Sequence, residues 1–141
     1  MELDVVIVPL AEFIAVDEPG AEPLLGKPDA ILIPENGDVM FYGDGGAGKT
    51  TLAIDLGFHL AAGDTWLGIP VPHPVRVLLI ENEGPRPLLR QKLKRKREAW
   101  NGGDLGDRVD VFERPWREFT FASEQWREEL ALKVAGRAPT C

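Results

Sequence analysis

Residues 43–51 constrain the fold of this 141-residue chain more than any other part of the sequence. They follow the pattern of a glycine, four variable residues, a second glycine, a lysine and a threonine. The glycines allow a tight turn, so successive backbone N–H groups can point into one concavity. At the N-terminus of a helix, such a concavity suits the phosphates of a nucleotide. The predicted phosphate-binding residues are Gly43, Asp44, Gly45, Gly46, Ala47, Gly48, Lys49, Thr50 and Thr51.

Two side chains of this motif are candidates for chemistry on the phosphates. In motifs of this kind the lysine, here Lys49, reaches the β- and γ-phosphates, and the hydroxyl of Thr50 ligates Mg²⁺. The flanking sequence supports the motif, because residues 38–42 have the composition of a short apolar strand and residues 51–62 the pattern of a helix that Gly63 ends. Strand, glycine-rich loop and helix, in this order, form the arrangement that the motif requires.

The rest of the chain continues the alternation of strands and helices. After the motif helix we expect a strand at 75–80, a helix at 86–100, a strand at 108–112 and a helix at 123–135. This order predicts an α/β fold of the P-loop NTPase class, with a mainly parallel sheet flanked by helices. We also expect two parts, a lead segment over 1–36 and a nucleotide-binding core over 37–141.

Composition narrows the class of protein. A hydrophobic content of 44% and a charged content of 28% are ordinary for a globular domain, and no apolar run approaches the ~20 residues of a membrane-spanning helix. The N-terminus is acidic where a signal peptide would be basic, and the single cysteine, Cys141, cannot form an internal disulfide. These features predict a cytoplasmic protein without a membrane partner.

Charge is distributed unevenly along the chain. The net charge of −7 argues against polyanion binding by the chain as a whole, but residues 84–100 carry seven bases and one acid. The four bases that helical spacing places on roughly one face are Arg86, Arg90, Lys94 and Arg97. Such a face could contact DNA phosphates or supply an arginine finger to a neighbouring subunit. A solvated helix face is the interpretation that we favour from sequence, because charge runs are usually solvated.

Two glutamates, Glu81 and Glu83, follow the strand predicted at 75–80. In open α/β sheets ligands bind beyond the carboxyl ends of the strands, where the glycine-rich loop also lies. A carboxylate there can position the water that attacks a γ-phosphate. The alternative is that both glutamates only end the strand in solvent.

Three segments of the chain carry a resemblance to a known family. They are residues 39–53 around the motif, residues 60–68 with the sequence LAAGDTWLG, and residues 77–84 with the sequence VLLIENEG. Together they resemble the RecA-like ATPases of the RepA-type replicative helicase group, often labelled AAA-family ATPases. The resemblance implies ATP hydrolysis with Mg²⁺, ring-shaped homo-oligomers and coupling to single-stranded DNA. It also implies that Glu83 is the catalytic glutamate beside Lys49, with Glu81 as a supporting acid.

The sequence departs from that family near its C-terminal end. The family's Walker B strand, an apolar run that ends in aspartate, normally follows the helix that we predict at 123–135, whereas this chain ends at Cys141. We therefore expect the N-terminal part of an ATPase core, truncated before Walker B. In such a fragment Thr50 would keep its contact with Mg²⁺, while the ion would lose the carboxylate behind it.

Two other functions fit parts of the same pattern. A P-loop kinase for a small molecule or a nucleotide would need a lid of arginines, which the basic segment at 86–97 resembles. A nucleotide-binding module without turnover would need only the motif. A GTPase fits less well, because the sequence has no N-K-x-D motif to recognise guanine.

Overall fold

The structure, a computed structural model, describes residues 4–81, 84–115 and 118–137. The elements in these ranges are α1 (Leu10–Ile14), β1 (Pro23–Lys27), β2 (Ala30–Pro34), α2 (Lys49–Ala62), β3 (Val77–Leu79), α3 (Arg86–Ala99), β4 (Val109–Val111) and α4 (Glu124–Arg137). The strands β1 and β2 form an antiparallel hairpin, whereas β3 and β4 form a parallel pair. Among the described helices, none has the length and apolar character needed to span a bilayer.

The predicted order of elements is confirmed from α2 to α4. Helix α3 connects the parallel strands, whose register pairs Val77 with Val109 and Leu79 with Val111. At the start of α4, the Ser123 Oγ accepts the N–H of Trp126 at 3.4 Å, so this serine caps the helix. An α/β arrangement therefore follows directly from the periodicity of the sequence.

The strand that we predicted at 38–42 is not formed. Within the described residues this segment takes part in neither sheet, and Met40 and Tyr42 are 81% and 89% exposed. Apolar composition favours a strand only where a neighbouring strand supplies a ladder and a surface to pack on. The expected parallel pairing is likewise found only in β3 and β4, because β1 and β2 turn back on each other within a few residues.

Helix α2 is buried on two sides. One apolar cluster joins it to α3 and to the segment before β4, and consists of Ile54, Phe58, Ala61, Leu89 and Leu105. A second cluster joins it to the β1–β2 hairpin, and consists of Leu25, Leu56, Trp66 and Val71. The helix thus connects the two small sheets through its own side chains.

The spacing of leucines in α2 indicates only part of the surface that this helix buries. Three leucines recur every four residues in the helix predicted at 51–62. Leu56 is buried and Leu60 packs against the second cluster, but Leu52 is 38% exposed. Gly57 lies where α2 crosses β3, and a Cβ there would lie 3.3 Å from Cγ1 of Val77. This glycine therefore allows the close packing of the helix on the strand.

A polar cluster of Asp55, Trp66 and Lys96, here called the Asp55 cluster, ties α2 to two other segments. The Asp55 carboxylate accepts hydrogen bonds from Trp66 Nε1 at 3.0 Å and from Lys96 Nζ, on α3, at 2.5 Å. The same ammonium lies 5.8 Å from the ring centroid of Phe58 and 5.5 Å from that of Trp100, within the range of a cation–π contact. Trp66 is 5% exposed, so its ring is part of the protein's interior and is not available for stacking on a base.

The surroundings of Asp55 change its titration. Burial by itself would raise the pKa of this carboxyl, but hydrogen bonds from Lys96 and Trp66 and the charge of Lys96 outweigh burial and hold the pKa below its usual value. A carboxyl with a depressed pKa in the folded state stabilises the protein above its unfolded pKa. That contribution is lost as the pH falls through the folded pKa.

We predict that Asp55→Asn lowers the free energy of unfolding at pH 7 by about 1 to 3 kcal/mol, because a charged acceptor of two hydrogen bonds is lost. The difference from the parent shrinks below about pH 4, where the parent carboxyl also becomes protonated. Urea unfolding followed by circular dichroism at several pH values measures both effects.

Asp107→Asn is the matched control. The Asp107 side chain is 87% exposed, and its ion pair with Arg76 is long, at 3.7 Å. We expect a change near zero for this exposed pair. A destabilisation by Asp55→Asn that is the same at pH 7 and in acid would contradict the proposed role of the charge.

Candidate functional site

The predicted phosphate-binding loop leads directly into α2. Gly46 and Gly48 have φ values of 79° and 92°, in the left-handed region that favours glycine. The N–H of Ala47 donates to the carbonyl of Asp44 at 3.2 Å, which closes a turn inside the loop. Gly48 is the N-cap residue of α2, and in this part of the structure no side chain caps the helix. The first-turn N–H groups are therefore left without a side-chain acceptor, which is the arrangement that anions favour.

The Lys49 side chain folds back over this loop. Its Nζ donates to the carbonyl of Gly43 at 2.6 Å and to the carbonyl of Asp44 at 3.0 Å. The positive charge therefore lies beside the concavity that the glycines create. A phosphate oxygen would be a stronger acceptor for this ammonium than a neutral carbonyl, because a hydrogen bond between charged groups is shorter and stronger.

A cavity of ≈ 500 Å³ adjoins the loop. The loop residues Ala47, Gly48 and Lys49 line one part of it, and residues 40–42 with Leu52 line the rest. This volume lies in the range of small-molecule pockets, which combine apolar walls with a few polar groups. The apolar wall was missed from sequence, because residues 40–42 were assigned to a strand.

A larger cavity of ≈ 710 Å³ lies between β4 and α4 and shares no lining residue with the first. Its walls include Val111, Phe119 and Trp126. We place the candidate site at the smaller cavity, because that one contains the lysine and the glycine-rich turn that phosphates need.

Thr50 and Thr51 lie in the exposed first turn of α2, next to Lys49. The hydroxyl of Thr50 is an oxygen donor of the kind that Mg²⁺ prefers, and Mg²⁺ commonly takes one or two protein oxygens together with substrate phosphates and water. The exposed position leaves room for those other ligands. The residues present at the start of α2 thus fit Mg²⁺ bound to a nucleotide.

The predicted glutamates follow β3. The Glu81 carboxylate accepts the N–H of Gly84 at 3.4 Å, shortly before α3 begins. Since β3 packs on α2 at Gly57, the strand before the glutamates is in direct contact with the helix that begins at the loop. Glu83 lies outside the described residues, so its catalytic role stays a prediction.

The backbone conformation of Gly48 offers a test of the loop. A Cβ at this position would meet no atom within 4 Å, so only the positive φ disfavours a side chain. We predict that Gly48→Ala weakens nucleotide binding by about 1 to 2 kcal/mol, because relief of the left-handed conformation rotates the N–H groups at the start of α2. Fluorescence titration with a labelled ATP analogue measures the change.

Gly45→Ala is the control, since a Cβ there also meets no atom within 4 Å and Gly45 is not among the residues with positive φ. We expect its affinity to stay close to that of the parent. Equal losses for the two variants would show that the left-handed turn is not what organises the loop.

Comparison with known proteins agrees with this geometry. A family profile described as an AAA domain matches residues 11–137, which is most of the chain and includes the loop and α2. Comparisons with curated proteins and with solved structures gave no match. A glycine-rich turn, an uncapped helix N-terminus and a lysine folded over the loop are what a nucleotide-binding ATPase of this kind needs. The chain therefore belongs to the AAA domain family of P-loop ATPases.

Proposed function

We propose that this protein binds ATP with Mg²⁺ at residues 43–51 and hydrolyses it, as a RecA-like ATPase related to the RepA-type helicases. The observation that carries the proposal is the position of Lys49, whose ammonium lies over the glycine-rich loop at the uncapped start of α2. A cation and a set of backbone N–H groups directed to one place form a phosphate site.

Binding follows from exchange of hydrogen-bond partners. The Lys49 Nζ leaves the carbonyls of Gly43 and Asp44 and donates to the β- and γ-phosphates, while the first-turn N–H groups of α2 donate to the other phosphate oxygens. Thr50 would hold Mg²⁺, which neutralises charge on the phosphates when it is bound. The loop needs little rearrangement, because its turn and its two left-handed glycines already exist.

Hydrolysis needs one more group, which orients water in line with the γ-phosphate. We assign this task to Glu83, on the basis of its place after β3 and of the resemblance to RecA-like ATPases. Glu81, whose carboxylate accepts the N–H of Gly84, is the supporting acid in this proposal. Lys49 stabilises the charge that develops on the transferred phosphoryl group.

The proposal also includes partners. The resemblance of residues 39–53, 60–68 and 77–84 to RepA-type ATPases supports single-stranded DNA as an effector and a ring-shaped homo-oligomer as the assembly. In such a ring an arginine of one subunit can reach the γ-phosphate bound by the next.

We predict that Lys49→Ala weakens ATP binding by roughly 10- to 150-fold, because hydrogen bonds to a charged group contribute about 1.5 to 3 kcal/mol. Isothermal titration calorimetry with Mg²⁺ and a non-hydrolysable ATP analogue measures the loss. Lys27→Ala removes an exposed lysine at the end of β1 and serves as the control. Unchanged affinity in Lys49→Ala would remove the basis of the proposed site.

We predict that Glu83→Gln retains ATP binding and loses hydrolysis by about 10²- to 10⁴-fold, the range for loss of a group that positions or activates water. Phosphate release measured under saturating ATP tests this. Glu81→Gln, two residues earlier in the sequence, is the matched control, and we expect a smaller effect, because glutamine keeps an oxygen acceptor for Gly84. ATP binding without phosphate release in the parent protein would favour the non-hydrolysing module.

A further inference from the structure

The helix α3 is far more basic than a helix needs to be for solubility. It carries seven bases and one acid, whereas α4, of the same 14-residue length, carries three of each. The whole chain has a net charge of −7, so the positive charge of α3 is opposite in sign to the net charge of the protein. The two helices share a solvent-facing setting, and the difference between them needs its own explanation.

Positive charges of α3 repel one another along the helix. The residue pairs 86/90, 90/94 and 92/96 are all like-charged at a spacing of four residues, which disfavours a helix. Burial of Leu89 and partial burial of Leu93 hold α3 against α2 in spite of this repulsion. A bound anion would relieve it.

Among the residues that the structure describes, four of these seven bases have no acidic partner. Lys96 forms an ion pair with Asp55, and Arg90 forms an exposed ion pair with Glu113 at 3.2 Å. Within the described residues, the side chains of Lys92, Lys94, Arg95 and Arg97 make no ion pair or hydrogen bond, and all four residues are exposed. The exposed pair of Arg90 contributes little, so Arg90 can exchange Glu113 for another anion at small cost.

Four of the bases lie in a row on one side of α3, here called the basic face, and consist of Arg86, Arg90, Lys94 and Arg97. At 1.5 Å per residue the row is about 16 Å long, with neighbouring residues about 4.5 to 6 Å apart along the helix axis. The other exposed flank carries only Lys92 and Arg95. A regular row of cations suits a ligand whose negative charges also recur at regular intervals, as they do in a phosphodiester backbone.

We infer that the basic face of α3 binds the phosphate backbone of single-stranded nucleic acid, without recognition of the base sequence. The inference deepens the proposed function, since it rests on a nucleic-acid partner and assigns the surface that contacts it. The surface is also connected to the nucleotide site, because Lys96 of the same helix holds Asp55 of α2, the helix that begins at the loop. Arginine and lysine on this face act through charge, so binding is strongly dependent on salt.

The test compares two double variants of the full chain, Lys94→Gln/Arg97→Gln on the basic face and Lys92→Gln/Arg95→Gln on the other flank. Each removes one lysine and one arginine, three residues apart, from the same helix, so the net charge and the helical context change equally. The probe is a fluorescently labelled oligothymidylate, titrated by anisotropy from about 50 to about 200 mM salt.

For the basic-face variant we expect an affinity loss of roughly tenfold, and a slope of log K against log salt that is shallower by about 1.4, which corresponds to two lost phosphate contacts on a single strand. The flank variant keeps most of the affinity and slope. Equal losses in the two variants would overturn the inference, because binding would then depend on net charge and not on the basic face. Absence of binding by the parent would overturn it as well.

Two further measurements separate this inference from the rest of the proposed function. Poly-L-glutamate, titrated as a competitor, is expected to displace the oligonucleotide weakly, and tighter binding of this polymer than of DNA would assign the face to an acidic protein segment instead. ATP binding and hydrolysis without DNA are measured on the same samples. Their retention with loss of DNA binding shows a folded variant, whereas their absence in the parent contradicts the ATPase proposal and leaves the DNA titration interpretable.

Discussion

Burial of α2 on two sides is the constraint on which the other features depend. Its residues Ile54, Phe58 and Ala61 pack toward α3 and the parallel strands, while Leu56 packs toward the β1–β2 hairpin. Apolar burial of this kind is the main favourable term in folding. Because α2 packs against both small sheets, its orientation determines where its first turn and the phosphate-binding loop lie.

Polar contacts add direction to this apolar packing. Hydrophobic contacts tolerate sliding and rotation, whereas the Asp55 carboxylate accepts two hydrogen bonds of defined geometry, from Trp66 and Lys96. One of these donors belongs to the turn after α2 and the other to α3. The Asp55 cluster thereby relates the helix that starts at the loop to the helix that carries the basic face. A change in the charge of Lys96 on α3 therefore alters the surroundings of Asp55 on α2, about two helical turns from the loop.

The sequence predicted the elements near the loop with unequal success. The helices at 86–100 and 123–135 were confirmed within two residues, because a spacing of apolar residues near 3.6 is a local property that the chain carries with it. The strand at 38–42 was wrong, since a strand exists only where another segment pairs with it. The hairpin at 23–34 was not predicted. Gly26 in its first strand has a φ of 112° and lies at an irregularity in the strand register. The division at residue 36 remains a prediction.

For the site itself, the sequence alone determined the residue types of the loop, the lysine and threonine that follow, and thereby membership among P-loop proteins. These depend on the local need for glycine at positive φ and for donors at a helix start. Tertiary structure decided the rest: which side of α2 is buried, that Trp66 donates to Asp55 instead of presenting its ring to solvent, and which bases of α3 have no acidic partner among the residues that the structure describes. Such features join residues far apart in the chain, as Asp55 and Lys96 are. Their pairing depends on packing, and no local pattern encodes it.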